Sequence, residues 1–198
     1  VAGAQVEHHA GARARRVGGT LSRAYFKLAE ALQRAGWQVA VGACALDVGA
    51  APGGWTQYLA DVGCSRVLAV DPAALAGELL EREAVEHVPA TLEAAAGGLA
   101  ERQRRGELPL LDALTCDMYC GSGSGSVLAT LEEAGAFELL RPGAVVVLTL
   151  KGPDMNERWR WQRMDAWLRP VVERFRRLCD DARLLHLLAN RPRERTLI

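Results

Sequence analysis

Short, mostly apolar runs recur along this chain, and helical patterns separate them. The runs are Ala43–Val48, Arg66–Val70, Leu110–Thr115 and Ala144–Leu150, with a weaker strand at Val85–Val88. Continuous rather than alternating apolar character is what a strand buried on both faces requires. Strands that alternate with helices predict a mostly parallel sheet covered by helices on both sides. Two further runs, Leu184–Leu188 and Arg195–Ile198, are separated only by Ala189–Glu194. That gap is too short for a crossover helix, so these two are expected to pair antiparallel at one edge. The fold class is therefore α/β, with seven strands, a C-terminal antiparallel hairpin and helices on both faces.

The helices follow from spacing and punctuation. Leu21, Tyr25, Leu28 and Leu32, with Ser22 as N-cap and Gly36 as stop, predict a helix over 22–35. Trp55–Val62 is helical and ends at Gly63, and Pro72 opens the next helix. Ala94–Arg105 and Val127–Leu140 follow, the latter capped by Ser126 and closed by the turn Arg141-Pro142-Gly143. Gly121–Gly125 reads as a mobile Gly/Ser loop. Residues 157–179 form a basic amphipathic helix that Pro170 is expected to kink or break.

Length and composition narrow the class further. The 198 residues suit one domain over 20–198, preceded by a basic, flexible arm over 1–19. The chain opens on Val1, so a natural start further upstream is expected. An apolar share of 49% with 24% charged residues excludes a disordered or collagenous chain. No apolar run approaches the ~18 residues of a membrane span, so no membrane partner is expected. The five cysteines are odd in number and form no C-x-x-C pair, which suits a reduced, cytoplasmic protein with buried thiols and no metal. An organelle follows instead if the arm is the remnant of a transit segment. A monomer is expected.

Two details of charge stand out. Of 24 basic residues, only Lys27 and Lys151 are lysines. Codon bias accounts for the arginines, but the two lysines then sit where arginine would not serve, because lysine alone can give up its proton. The zero net charge also hides a gradient: residues 1–100 carry −2 and residues 141–198 carry +6. The basic third could face a phosphate backbone or could simply be a solvated surface.

The polar residues that close the strands fall in one place. In a doubly wound sheet, ligands bind at the carboxyl ends of the strands, where Asp47, Gly49, Asp71, Asp117 and Lys151 stand. Leu46-Asp47-Val48-Gly49-Ala50-Ala51-Pro52-Gly53-Gly54-Trp55-Thr56 is a strand followed by a glycine-rich turn that lets backbone approach a ligand. It lacks the G-x-G-x-x-G spacing of a dinucleotide site. Asp71, at the tip of the second strand, is placed to accept hydrogen bonds from ribose hydroxyls.

Ala50-Ala51-Pro52-Gly53-Gly54-Trp55 resembles the S-adenosylmethionine (SAM) loop of the FtsJ/RrmJ-like RNA ribose 2′-O-methyltransferases. Ser22-Arg23-Ala24-Tyr25-Phe26-Lys27-Leu28 is similar to the S-R-x-x-x-K-L helix of that family, and Cys116-Asp117-Met118 to its D-M at the fourth strand. Leu140-Arg141-Pro142-Gly143, Leu150-Lys151 and Arg193-Glu194-Arg195 resemble its L-x-P-G, its strand-end lysine and its R-E. These matches run in order from residue 22 to the C-terminal strand. The resemblance implies a Rossmann-like, SAM-dependent methyltransferase fold with SAM as cofactor. It places the catalytic tetrad on Lys27, Asp117, Lys151 and Glu194, so both lysines of the chain fill its lysine positions. It places SAM against Ser22, Asp47, Gly49, Ala51, Pro52, Gly53, Gly54, Trp55, Asp71 and Asp117.

That assignment has a chemical rationale. A ribose hydroxyl must lose its proton as it attacks the methyl group, and a lysine can take it where burial and a second ammonium favour the neutral amine. Lys151 is then the base, Lys27 stabilises the alkoxide, Asp117 orients Lys151 near the methyl, and Glu194 holds Lys27 or the ribose. The sequence also departs from the family. Met118-Tyr119-Cys120-Gly121-Ser122-Gly123 replaces the A-P-N-x-S-G of the heat-shock-type members. His87-Val88-Pro89-Ala90-Thr91 has no acid for adenine. Lys151-Gly152-Pro153 and the Ser22-Arg23 entry suit the ribosomal RNA large-subunit methyltransferase M branch, whose N-terminal RNA-binding region is not seen in this sequence.

RNA, ribosomal RNA first, is the expected partner, through a basic surface that includes the helix of residues 158–177. In that helix Trp161, Met164, Leu168, Val172 and Phe175 form one stripe that suits core packing, while Trp159 is a candidate for stacking a base. His8, His9, His87 and His186 form no constellation. Methylation of a messenger cap, a transfer RNA or a small molecule, and RNA binding without catalysis on the same fold, remain alternative readings.

Overall fold

In the computed structural model, residues 19–118, 126–152, 160–192 and 194–198 are described. Strand β1 (Cys44–Val48) is buried at all five positions because a parallel neighbour flanks it on each side. These neighbours are β2 (Arg66–Val70) and β4 (Leu111–Cys116). Outside them lie β3 (Val85–Val88) and β5 (Leu140–Lys151), also parallel. Then β7 (Glu194–Leu197) runs antiparallel to β5, and β6 (Leu184–Leu185) antiparallel to β7. The order is β3-β2-β1-β4-β5-β7-β6, so the sheet reverses its winding between β1 and β4.

The two faces are built from different side-chain sizes. Leu46, Val48, Leu68, Leu114 and Leu148 pack against α4 (Leu92–Arg104), α5 (Ser126–Glu133) and α6 (Arg160–Phe175). Ala45, Val67, Ala113 and Val147 face α1 (Ala24–Ala35) and α2 (Gly54–Asp61). On α6 the buried residues are Met164, Leu168, Val171 and Phe175, a 4-3-4 spacing that forms one stripe. Burying Phe175 completely contributes about 1.5–3 kcal/mol.

The structure moves several expected boundaries. The first helix begins after Arg23, and Ser22 Oγ accepts the Ala24 N–H one residue outside it. Pro72 opens no helix. Asp71 Oδ1 instead accepts the Ala73 N–H and shapes a turn, and the short α3 (Gly77–Leu80) starts five residues later. The helix expected to reach Leu140 stops at Glu133, because Gly135 adopts a left-handed conformation and a 3₁₀ turn over Ala136–Leu139 replaces the rest. The expected turn at Arg141–Gly143 lies inside β5. There β5 advances five residues from Leu140 to Val145 while β4 advances two from Leu111 to Ala113, so the turn survives as a bulge.

Pro170 sits on the exposed face of α6, which continues through it. Val171, rather than Val172, completes the buried stripe. The strand expected at Leu184–Leu188 pairs only over its first two residues, because Leu187–Asn190 close a turn on themselves. The basic arm, the Gly121–Gly125 loop, Trp159 and the Trp161 side chain lie outside the described residues. Cys44, Cys64 and Cys116 are buried thiols. Among the described residues, no helix is long and apolar enough to cross a membrane.

Candidate active site

Four ionisable side chains converge where β4, β5 and β7 meet α1. Lys151 ends β5 and Glu194 begins β7, and the antiparallel register makes them direct cross-strand partners. Asp117 follows the last residue of β4. Lys27 reaches in from α1, which is anchored on the sheet by Leu28, Ala31, Leu32 and Ala35. Lys27 Nζ donates to Asp117 Oδ1 and Oδ2 at 3.1 and 3.0 Å and lies 3.2 Å from Glu194 Oε2. Lys151 Nζ lies 3.2 Å from Asp117 Oδ1 and also donates to the Asp117 backbone carbonyl. One carboxylate is thus shared by both lysines, and the second serves Lys27.

The pairs differ in depth. The Lys27 and Glu194 side chains are 7% and 9% exposed, against 22% for Lys151 and 18% for Asp117. Burial alone would raise the Glu194 pKa, but the Arg191 N–H and the Lys27 and Lys151 ammoniums outweigh it and hold the carboxyl below its usual range. The cluster lines an open crevice of about 480 Å³, with Ser22, Arg23 and Arg191 on its walls.

Beside this crevice runs the glycine-rich turn from β1 to α2. A Cβ on Gly49 (φ 71°) would overlap Met118, the residue after Asp117, so this glycine lets the turn approach the end of β4. A Cβ on Gly54 would overlap Ser22 Oγ and lie 3.2 Å from the Tyr25 amide nitrogen, which ties the start of α2 to the start of α1. Gly53 is packed in the same way against Leu79. The Ala51–Pro52 peptide is cis, and the Pro52 carbonyl accepts the Ala76 N–H at 3.1 Å. Asp71 Oδ2 accepts the Ala51 N–H at 3.0 Å, so this part-exposed acid braces the turn from the neighbouring strand.

The predicted cofactor residues therefore divide. Gly49, Ala51, Pro52, Gly53 and Asp71 form or brace the turn, while Ser22 and Asp117 line the crevice. Asp47 and Trp55 face inward. Trp55 is 2% exposed, and its Nε1 donates to the Ala24 carbonyl at 2.7 Å. Asp47 is 1% exposed and accepts from Thr56 Oγ1 at 2.7 Å and Thr115 Oγ1 at 2.9 Å. Burial pushes its carboxyl up to about 7, although the two hydroxyls pull the other way.

Sequence reasoning passed over several positioning residues. Gln57 is buried and clamps the chain entering α1, through the Leu21 N–H and the Gly19 carbonyl. Glu30 accepts the Leu188 N–H and so holds the loop before β7 to α1. Each of these contacts joins segments more than 30 residues apart, and no local pattern marks them.

The profile of FtsJ-like methyltransferases matches residues 20–171. The chain belongs to the FtsJ-like methyltransferase family. It is 49% identical over 53 residues to the ribosomal RNA large subunit methyltransferase E of Acidiphilium cryptum, covering 27% of this chain and 23% of that protein. It is 44% identical over 75 residues to the ribosomal RNA large subunit methyltransferase M of Aromatoleum aromaticum, covering 35% and 20%. The matched segments span less than a quarter of either relative.

The fold is shared with a protein described as a hemolysin from Streptococcus thermophilus, at TM-score 0.68 and 18% identity over 92% of this chain and 67% of that one. It is also shared with Aeropyrum pernix fibrillarin, solved with S-adenosyl-L-methionine bound, at TM-score 0.57 and 16% identity over 88% and 75%. The four residues that the FtsJ-like resemblance assigns to the tetrad, Lys27, Asp117, Lys151 and Glu194, are the four that converge in this crevice.

Proposed function

We propose that this FtsJ-like domain transfers a methyl group from SAM to a ribose 2′-hydroxyl of RNA, ribosomal RNA first. The observation that carries the reading is the convergence of both lysines of the chain on Asp117, beside the point where the sheet reverses its winding. The residues there suit SAM. Asp71 follows β2 and is part-exposed, where nucleoside hydroxyls can donate to it, and the Asp117 carboxylate complements a sulfonium charge. Adenine would be met by Val88–Thr91, which offers backbone groups and no acid. When bound, SAM supplies an electrophilic methyl group.

The protein's part is to manage one proton and one alignment. Lys27 faces two carboxylates and Lys151 shares one of them. Lys151 Nζ, the more accessible nitrogen, accepts the proton of the 2′-hydroxyl. The Lys27 ammonium stabilises the oxygen as charge develops on it. Asp117 fixes the separation of the two nitrogens, and Glu194 holds Lys27 in place. The rest of the acceleration comes from positioning. RNA is the partner, held by basic groups at the crevice, and the protein works in the cytoplasm as a monomer.

The test is Lys151→Ala. Calorimetry should find SAM binding kept, while methyl transfer to RNA falls by about 10²-fold or more, the usual worth of a general base. Near-normal turnover would overturn the mechanism. Methylation of RNA with 2′-deoxy nucleotides at the target would exclude ribose chemistry, and absence of SAM binding by the unaltered protein would favour RNA binding without catalysis.

A further inference from the structure

The four side chains of the site line the inside of one crevice, with the Lys27 ammonium on its buried floor beside the more accessible Lys151 Nζ. The Lys27 and Glu194 side chains are both more than nine-tenths buried at the floor of the crevice. A ribose inside a continuous stack is flanked by its neighbours, so its nucleotide must turn out of the stack to reach them.

Next in the chain to the crevice wall stands Leu188, with 90% of its surface exposed. It immediately precedes Ala189, which lines the crevice. A single exposed leucine is ordinary on a protein surface, but this one is held in an unusual way. Its N–H donates to both carboxylate oxygens of Glu30 at 2.9 Å. On one side, Leu187 is 2% exposed and packs into the core beneath α1. On the other, Asn190 Oδ1 accepts the Leu187 N–H at 2.8 Å and closes the turn. Glu30 is itself held by Arg34, which also donates to the His186 carbonyl. The backbone is thus fixed from both sides while the leucine side chain alone projects into water. Arg23 and Arg191, on the walls of the crevice, supply cationic groups for the flanking phosphates.

We propose that Leu188 is a wedge that enters the gap left in an RNA stack when the target nucleotide turns into the crevice. The inference rests on the ribose-methylation reading and specifies its substrate: a nucleotide within a stacked or paired segment. Apolar side chains inserted between base steps act in this way, because they replace the lost stacking contact with apolar contact of their own. Leu188 is a positioning residue, since its chemistry reaches the reaction only through the RNA.

The experiment measures kcat/KM for transfer of labelled methyl from SAM to large-subunit ribosomal RNA. The RNA is used folded in magnesium and, separately, hydrolysed to short single strands. Leu188→Ala should lower the ratio of folded to fragmented activity by about tenfold, because only the folded RNA has a stack to open. Leu188→Met, which keeps the apolar bulk, should retain the ratio. An unchanged thermal midpoint shows that the variants fold. A Leu188→Ala protein that loses activity equally on both RNAs, or on neither, overturns the wedge and leaves the ribose-methylation reading standing. Failure of the unaltered protein to methylate either RNA overturns that reading, and the wedge with it.

Discussion

Asp47 lies beneath the glycine-rich turn, 1% exposed, with both carboxylate oxygens taken by threonine hydroxyls. Its pKa of about 7, against an ordinary 3.8, means that the native state binds this proton more tightly than the unfolded chain does. Stability therefore falls as pH rises between those values, and the deficit is complete above about 7. At 1.36 kcal/mol per pKa unit the full deficit is about 4 kcal/mol, as an upper bound. Asp47→Asn removes the titration and keeps an acceptor oxygen. Its Tm relative to the unaltered protein should rise by about 5 °C or more between pH 5 and pH 8; a difference that stays flat with pH would contradict the account. Lys151→Arg probes the neighbouring chemistry. It keeps the positive charge beside Asp117 but presents a guanidinium that holds its proton. Methyl transfer should fall by about 10²-fold with SAM binding retained, and an active arginine variant would show that charge alone suffices. These two sites were unequally legible. The lysines announced themselves by scarcity, whereas Asp47 takes its character from burial on a strand flanked on both sides, which only the pairings of β1 with β2 and β4 create.

Helices α1 and α2 touch through a missing side chain. A Cβ on Gly54 would overlap Ser22 Oγ and press on Ala24 Cβ and the Tyr25 amide nitrogen. Helix propensity alone makes Ala better than Gly by about 1 kcal/mol, so Gly54→Ala sets propensity against packing. Packing should win, because the obstructing atoms include the backbone of α1, which cannot move without moving Lys27. The variant should lose about 1–3 kcal/mol in urea denaturation and lose methyl transfer with it; a more stable, fully active variant would refute the close contact. At this scale the sequence was readable wherever burial on both faces forced a continuous apolar run. Strand β2 lies at its expected residues, and β1 and β4 lie within one residue of theirs. It misled where one side chain or one glycine redirected the backbone. The Asp71 carboxylate turned the chain at Ala73 where Pro72 suggested a helix, and the left-handed Gly135 cut a helix short. Pro170 was harmless because it lies on the exposed face of α6.

Across the whole molecule, charge is better described by pairing than by its sum. Arg82, Arg102, Arg141 and Arg174 are tied to Asp61, Glu86, Asp112 and Glu132, so much of the arginine excess braces the structure. Arg23 and Arg191, by contrast, line the crevice and form no ion pair among the described residues. The basic C-terminal third thus includes different settings: Arg169 and Arg174 of α6 pair with Asp165 and Glu132, while Arg191 lines the crevice. The fold explains why. Winding that reverses between β1 and β4 gathers strand ends from distant parts of the sequence, so local charge density cannot foretell where free cations meet. The consequence is measurable. If Arg191 contacts one phosphate of a single-stranded target, then Arg191→Ala should reduce the slope of log affinity against log salt by about 0.7. RNA affinity titrated between 50 and 200 mM salt would show it, those concentrations being roughly the range over which phosphate contacts are most visible. Arg169→Ala should leave the slope unchanged, since Arg169 does not line the crevice. The reverse pattern, a slope sensitive to Arg169 and indifferent to Arg191, would move the RNA from the crevice to the outer face of α6.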